Sequence, residues 1–258
     1  MKEYALVTGA SSGIGRSIAL QLAQRGYVVM LTARSEDKLK DLADEIKTRF
    51  DVDAVYLPLD LSLNDAAVQL ISWCESLAVT PAILINNAGY GLWGDFAELN
   101  LNEQVNMHRL NTEAVIRLTH AMLPILKRNK RSYILNVSST AAYQPVPTLG
   151  LYAAGKSFVL SFSRALRYEL KQSPVSVSCL CPGPTDTGFT HRAGLDAFAD
   201  LAAKFNMSAD EVAAIGLKGM FKGRTEIVPG FLNKLTSIAA RHAPKAFAER
   251  ISASLYKR

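Results

Sequence analysis

The chain predicts an α/β fold, a doubly wound parallel sheet of about seven strands with helices on both faces. Short apolar, β-rich runs alternate with longer helical patterns from end to end. A glycine-rich turn joins the first run to the first helix, and no linker, repeat or low-complexity tract breaks the alternation. Short buried strands separated by helices imply parallel crossovers covered on both faces. Ligands in such folds gather beyond the carboxyl ends of the strands. A length of 258 residues suits one large domain with a sizeable core and is short for two.

The elements follow in order. Tyr4–Thr8 reads as the first strand and Gly13–Arg25 as the first helix. Val28–Thr32 is the second strand, followed by a helix over Glu36–Arg49 that Glu36 opens. Ala54–Leu59 and Ile83–Asn86 are the third and fourth strands, with Leu63–Ser76 helical between them. A long helical pattern runs over Glu103–Lys127, then a strand over Tyr133–Val137, a helix over Tyr152–Lys171 and a strand over Val175–Leu180. Pro182–Met207 is the one extended interruption, and Ser208 has the side chain to cap a helix over Ala209–Phe221. Residues 186–222 are assigned as an insertion covering the substrate. Ile227–Val228 adds a short seventh strand, and residues 230–258 read as amphipathic basic helices on the same 1–258 domain.

Composition is that of an ordinary globular protein, 49% apolar and 20% charged. No apolar run is long enough to cross a bilayer, and the apolar stretch at the amino end is too short for a signal peptide. Cys74, Cys179 and Cys181 have no metal-like spacing and predict buried thiols in a reducing cytoplasm. His108, His120, His191 and His242 are scattered without ligand spacing, so no metal is expected. From Phe231 onward Lys234, Arg241, Lys245, Arg250, Lys257 and Arg258 face Glu249 alone, which puts nearly all of the net charge in the tail. Phe231, Leu232, Leu235 and Ile238 recur there at helical spacing, as do Phe247, Ile251 and Leu255. Two helices packed on the domain with a basic solvated face are expected, with a surface for anionic lipid or an acidic partner as the alternative. No basic–aromatic module points to nucleic acid.

The first strand runs into Gly9-Ala-Ser11-Ser12-Gly13-Ile14-Gly15 and then directly into a helix. Glycines there permit a tight turn and a close backbone approach to a pyrophosphate, which a helix amino end attracts. Ser11 and Ser12 add hydroxyl donors. A fold that prefers NAD places a carboxylate after the second strand for the ribose 2′-OH. Here the residues are Arg34 and Ser35, and a guanidinium suits a phosphate, so NADP(H) is the expected cofactor. Asp60 and Leu61 follow the third strand, where the carboxylate has either an adenine amino group or a helix cap as its role. Asn86-Asn87-Ala88-Gly89 follows the fourth, its amides suited to fixing backbone and Gly89 to close cofactor contact. Tyr152 and Lys156 stand four residues apart, with Ser139 thirteen residues before the tyrosine. That spacing assembles a proton donor, a cation to acidify it and a hydroxyl to orient a substrate oxygen.

These motifs, with Asn111 and Pro182-Gly183-Pro184-Thr185-Asp186-Thr187, resemble the short-chain dehydrogenase/reductase superfamily from Tyr4 to Thr187, in its shorter-chain branch. The tail is similar to a bacterial subgroup whose members mostly lack an assigned substrate. The resemblance implies a Rossmann-type fold and an NADP-dependent oxidoreductase interconverting a carbonyl and an alcohol. It implies that Tyr152 exchanges the proton and that Lys156 acidifies the phenol and bonds the nicotinamide ribose. By the same resemblance Ser139 would hold the substrate oxygen, with Ser138 as the neighbouring alternative, and Asn111 would anchor a water reaching Lys156. Pro182, Gly183, Thr185 and Thr187 would meet the carboxamide and pyrophosphate. Pocket walls are expected from Tyr90–Trp93, Ala141–Leu149, Phe189, Leu195, Phe198, Phe205 and Met207, an apolar set that suits a lipophilic substrate. A regulator that only senses NADP would normally have lost Tyr152 or Lys156, and a lyase or epimerase using the same pair usually carries a longer substrate domain. The resemblance also implies a homo-oligomer, a dimer before a tetramer, through the helices starting near Glu103 and Tyr152.

Overall fold

The computed structural model describes residues 2–194 and 206–256. Seven parallel strands form one sheet: β1 (Tyr4–Thr8), β2 (Val28–Ala33), β3 (Ala54–Pro58), β4 (Ile83–Asn86), β5 (Ser132–Val137), β6 (Val175–Leu180) and, at its edge, Glu226–Ile227. Their order is β3-β2-β1-β4-β5-β6 and then the edge strand. The order reverses between β1 and β4, and a crevice opens beyond their carboxyl ends at such a switch point.

Alternate side chains of each strand serve opposite faces. Ala5, Val7, Val29, Leu31, Ile83 and Ile85 pack on α1 (Gly13–Ala23) and α2 (Glu36–Phe50) through Ile18, Leu22, Leu39, Leu42 and Ile46. Leu6, Met30, Leu84, Ile134 and Val177 pack on the other face, against α3 (Ala66–Ser76) through Leu70. Each fully buried aliphatic side chain contributes roughly 1.5–3 kcal/mol, so stability resides in these two layers.

The long helix expected over Glu103–Lys127 is interrupted. It divides into α4 (Leu101–His108), a π-turn over Arg109–Glu113 and α5 (Ala114–Leu126). Asn111 sits in the π-turn, with its Nδ2 donating to the Tyr90 carbonyl at 2.8 Å and its Oδ1 accepting from the Tyr90 amide at 3.1 Å. Such bulges inside helices recur at functional sites. Next come a 3-10 turn at Thr140–Tyr143, α6 (Gly150–Glu169) and a two-residue pairing of β7 (Thr185–Asp186) with β8 (Met207–Ser208). The short α7 spans Phe189–Ala193.

Two expectations about the second half need revision. Ser208 caps α8 (Ala209–Phe221) through a capping box with Glu211, as expected of its side chain. That helix does not cover the cleft, because Val212, Ala213, Leu217 and Met220 are buried in the same core layer as Ile18 and Leu22. The second revision concerns α9 (Phe231–His242), where Phe231, Leu232, Leu235 and Ile238 face solvent and Ser237 alone is buried. Their expected packing on the domain is reversed, for reasons given with the site. α10 spans Lys245–Tyr256, and the stripe of Phe247, Ile251 and Leu255 lies outside the described side chains.

Candidate active site

Parallel register aligns the strand ends: Thr8 with Thr32, Ala33 with Pro58, Asn86 with Asn136 and Val137 with Leu180. The residues just beyond those ends therefore meet along one edge, around a cleft of about 650 Å³. Gly9, Ser11, Ser12, Gly13, Ile14, Arg34, Ser35, Asp60, Leu61, Asn87, Ala88 and Gly89 all line it. So do Ser139, Tyr152, Lys156, Pro182, Gly183, Thr185 and Thr187. Gly15 lies beneath, packed so that a Cβ would strike the Gly9 carbonyl and the Asn87 amide. Asn111 is buried behind Gly89, where an added Cβ would lie 2.7 Å from its Oδ1.

The glycine turn is a cradle shaped by its neighbours. Gly9 and Gly13 have φ of 63° and 54°, the left-handed region that side chains resist. A Cβ on Gly13 would lie 3.0 Å from Thr187, so the turn and the Pro182–Thr187 segment face each other across a narrow gap. Asn87 Nδ2 donates to the Thr8 and Gly9 carbonyls at 2.9 and 3.2 Å, tying the turn to the end of β4. Ser12 makes no side-chain cap bond to α1 and lines the cleft beside the helix amino end. These features fit a pyrophosphate. Asp60 Oδ1 accepts from the amide and hydroxyl of Ser62, so one carboxylate oxygen serves the local turn.

Beyond β2 Arg34 is joined by Lys38 and Arg192, two cleft residues absent from the sequence-based site. None of the three pairs with a carboxylate among the described residues. Arg192 lies over the Tyr90 ring at 4.3 Å, and burial followed by nearby Arg34 lowers its pKa from the ordinary value. Like charges gathered about an open cleft suit an anion.

Tyr152 and Lys156 lie one turn apart on α6 and are 8% and 5% exposed. The Lys156 Nζ is 5.7 Å from the centre of the tyrosine ring and donates to the Val137 carbonyl at 3.0 Å. Burial pushes the ammonium down to about 8. The Ser138 hydroxyl is buried and donates to the Lys156 carbonyl at 2.7 Å. Ser139 is the more open hydroxyl, accepting from the Ala141 amide at 3.1 Å. Of the two serines, Ser139 is the one free to meet a ligand. Each end of the Asn111 amide bonds the Tyr90 backbone once, so its visible work is to hold the residue after Gly89.

The cleft wall beside Tyr152 is apolar where Tyr90, Ala141, Val146, Leu149 and Phe189 line it, whereas Leu92 and Trp93, expected there, pack behind it. Tyr90, Met107, Val146, Leu149 and Ala153 pack with Tyr152, and Leu92, Trp93, Ala141 and Phe189 border them. The Phe189 ring is 5.4 Å from that of Tyr152. Met207 sits elsewhere, packed on the core and against Gly230. Leu195, Phe198 and Phe205 lie outside the described residues. Asn206 lines the cleft with a buried Oδ1 that has no hydrogen-bond partner.

The inward face of α9 completes the wall with Thr236, Ser237 and Ala240. Asn233 fills the space a side chain on Gly183 would need, at 2.5 Å from its ideal Cβ. Arg241 donates to Glu226 at 2.6 Å and lies over the Tyr143 ring at 4.6 Å, while Tyr143 and Arg164 donate to the same carboxylate. Burial would raise the Glu226 carboxyl, but hydrogen bonds from Arg241 and Tyr143 outweigh it and hold it below its ordinary value. This clasp orients α9. Its signal in the sequence is the periodicity of the small or polar residues Asn233, Thr236, Ser237 and Ala240 opposite the apolar stripe.

A model of a family described as short chain dehydrogenase matches residues 3–198. Over 184 residues the chain is 34% identical to a very-long-chain 3-oxoacyl-CoA reductase from Rattus norvegicus, covering 70% of this chain and 58% of that one. The chain thus spans little more than half the length of that relative. A short-chain dehydrogenase from Sphingobium yanoikuyae in complex with NADPH superposes with a TM-score of 0.82 at 29% identity, covering 95% of this chain and 97% of that one. A short chain dehydrogenase/reductase from Burkholderia phymatum in complex with NAD shares the fold, with a TM-score of 0.82 at 23% identity over 92% of each chain.

Proposed function

The chain belongs to the short-chain dehydrogenase family of oxidoreductases, and from that premise we propose that it interconverts a lipophilic carbonyl and its alcohol with NADP(H). The observation that carries this reading is the Tyr152–Lys156 pair, buried in the wall of a cleft that also holds the glycine cradle. The glycine cradle and Lys156 would hold a nicotinamide cofactor, which when bound would supply or accept the hydride. Tyr152 gives its phenolic proton to the carbonyl oxygen, or takes it back in the alcohol direction. An unperturbed phenol titrates near ~10, and the Lys156 ammonium stabilises the phenolate form. Ser139 orients the substrate oxygen. The apolar wall of Tyr90, Val146, Leu149 and Phe189 excludes water around it.

Arg34, with Lys38 and Arg192, supports NADP over NAD, since nothing acidic stands where a 2′-OH would need an acceptor. Replacing Arg34 with Asp should weaken NADPH binding roughly 10–100-fold, as loss of a charge-assisted phosphate contact does. NADH binding should change far less. Titrating both cofactors by fluorescence checks this, and equal effects would remove the assignment.

The substrate class follows from the apolar wall and from the long-chain acyl substrate in the rat relative's name. In an NADPH absorbance assay, long aliphatic, aromatic or steroid-like carbonyls should be turned over. Activity confined to polar sugars would sink the lipophilic reading. Self-association through α4–α6 is supported by the exposed Val105, Ile116 and Phe158 on those helices, and a homodimer in a reducing cytoplasm is the assembly we favour. Three free, buried thiols accord with that compartment.

A further inference from the structure

We infer that the outward face of α9, with the basic chain that follows it, docks the protein on an anionic lipid surface. Phe231, Leu232, Leu235 and Ile238 are 84%, 51%, 53% and 46% exposed, and the spacing of Phe231, Leu235 and Ile238 puts them on one side of the helix. Single exposed apolar residues are unremarkable, but a stripe of large ones marks a surface with a partner.

The stripe is held outward. Rotating α9 to bury it would break the Arg241–Glu226 pair, lift Asn233 away from Gly183 and expose Ser237, which is 6% accessible. The exposed Lys234 flanks the stripe. From Phe231 to the last residue the chain carries six Lys or Arg against one Glu, five of the protein's six net charges.

That charge selects the occupant. Two copies meeting stripe to stripe would bring like-charged tails together, whereas an anionic bilayer attracts the bases and receives the apolar side chains. Self-association already has other exposed residues to use, on α4–α6. No helix among the described residues is long and apolar enough to cross a membrane, so α9 would lie in the plane of the interface. Thr236, Ser237 and Ala240 on its other side line the cleft. Docking therefore brings the cleft wall to the bilayer, which under the proposed function shortens the path of a lipophilic carbonyl. The docking itself does not depend on that function.

The full chain should be sedimented with phosphatidylcholine vesicles, with and without phosphatidylglycerol, beside a Leu235→Glu/Ile238→Glu variant. Both substituted residues point away from the cleft, so NADPH binding should persist and verify folding. Binding to phosphatidylglycerol vesicles should exceed that to phosphatidylcholine alone by tenfold or more, fall in high salt, and drop at least tenfold in the variant. Failure of the wild-type chain to bind anionic vesicles, or equal binding by the variant, overturns the inference. So does a variant that loses only a larger oligomer in light scattering, because a second copy would then be the occupant. Vesicle binding by a protein that reduces no carbonyl would refute the proposed function and leave the docking intact.

Discussion

Replacing Tyr152 with Phe should cut carbonyl reduction by roughly 10²–10⁴-fold, the range a positioned general acid supplies, while NADPH binding stays within about twofold. The ring remains, so its contact with Phe189 and its place among Tyr90, Val146 and Leu149 persist. The hydroxyl alone is lost, and with it the proton that accompanies the hydride. Single-turnover reduction at saturating NADPH separates this from a binding defect. Turnover within a few-fold of wild type would exclude Tyr152 as the acid.

Replacing Lys156 with Met should lower reduction by about 10²-fold or more, because the phenolate would lose its nearest cation. It should also stabilise the protein at neutral pH. The folded-state pKa of Lys156 is depressed to about 8 from 10.5 by burial. Below about pH 8 the side chain is charged whether folded or not, so the full cost of burying the ammonium is present there. As pH rises from about 8 to 10.5 the folded state sheds that proton first and the cost is relieved. The upper bound is on the order of 3 kcal/mol, less about 1 kcal/mol for the hydrogen bond to Val137 that Met cannot make. At pH 7 the variant should melt higher, by up to about 4–8 °C, and the advantage should shrink by pH 10. In the wild type, reduction should decline as pH rises through about 8, when Lys156 loses its charge. A destabilised variant at pH 7, together with a flat rate profile to pH 10, would show that the ammonium is not buried at cost.

Part of this was legible in the residues themselves. β1, β4 and β6 have the bounds their apolar runs predict, and Cys74, Cys179 and Cys181 are buried thiols. Gly9 and Gly13 take the left-handed backbone their turn requires. Tyr152 and Lys156 are neighbours because four residues make one helical turn. These readings succeed because each depends on local periodicity or on the conformational range of one residue.

The remainder depended on partners distant in sequence. The π-turn at Asn111 is held by the backbone of Tyr90, and the hydroxyl of Ser138, though that residue lines the cleft, is engaged by the carbonyl of Lys156. Arg192 enters the site because α7 lies against Tyr90 and Tyr152. α9 is the clearest instance. Periodicity correctly identifies it as a two-faced helix but is silent on which face turns inward. Burial of apolar area favours one answer, while the clasp of Arg241 on Glu226 and the fit of Asn233 to Gly183 impose the other. The sequence by itself determined the sheet, the cradle and the tyrosine–lysine pair, since these follow from local rules. Tertiary structure alone decided the direction of the final helix, because that balance is struck between groups the chain brings together only on folding.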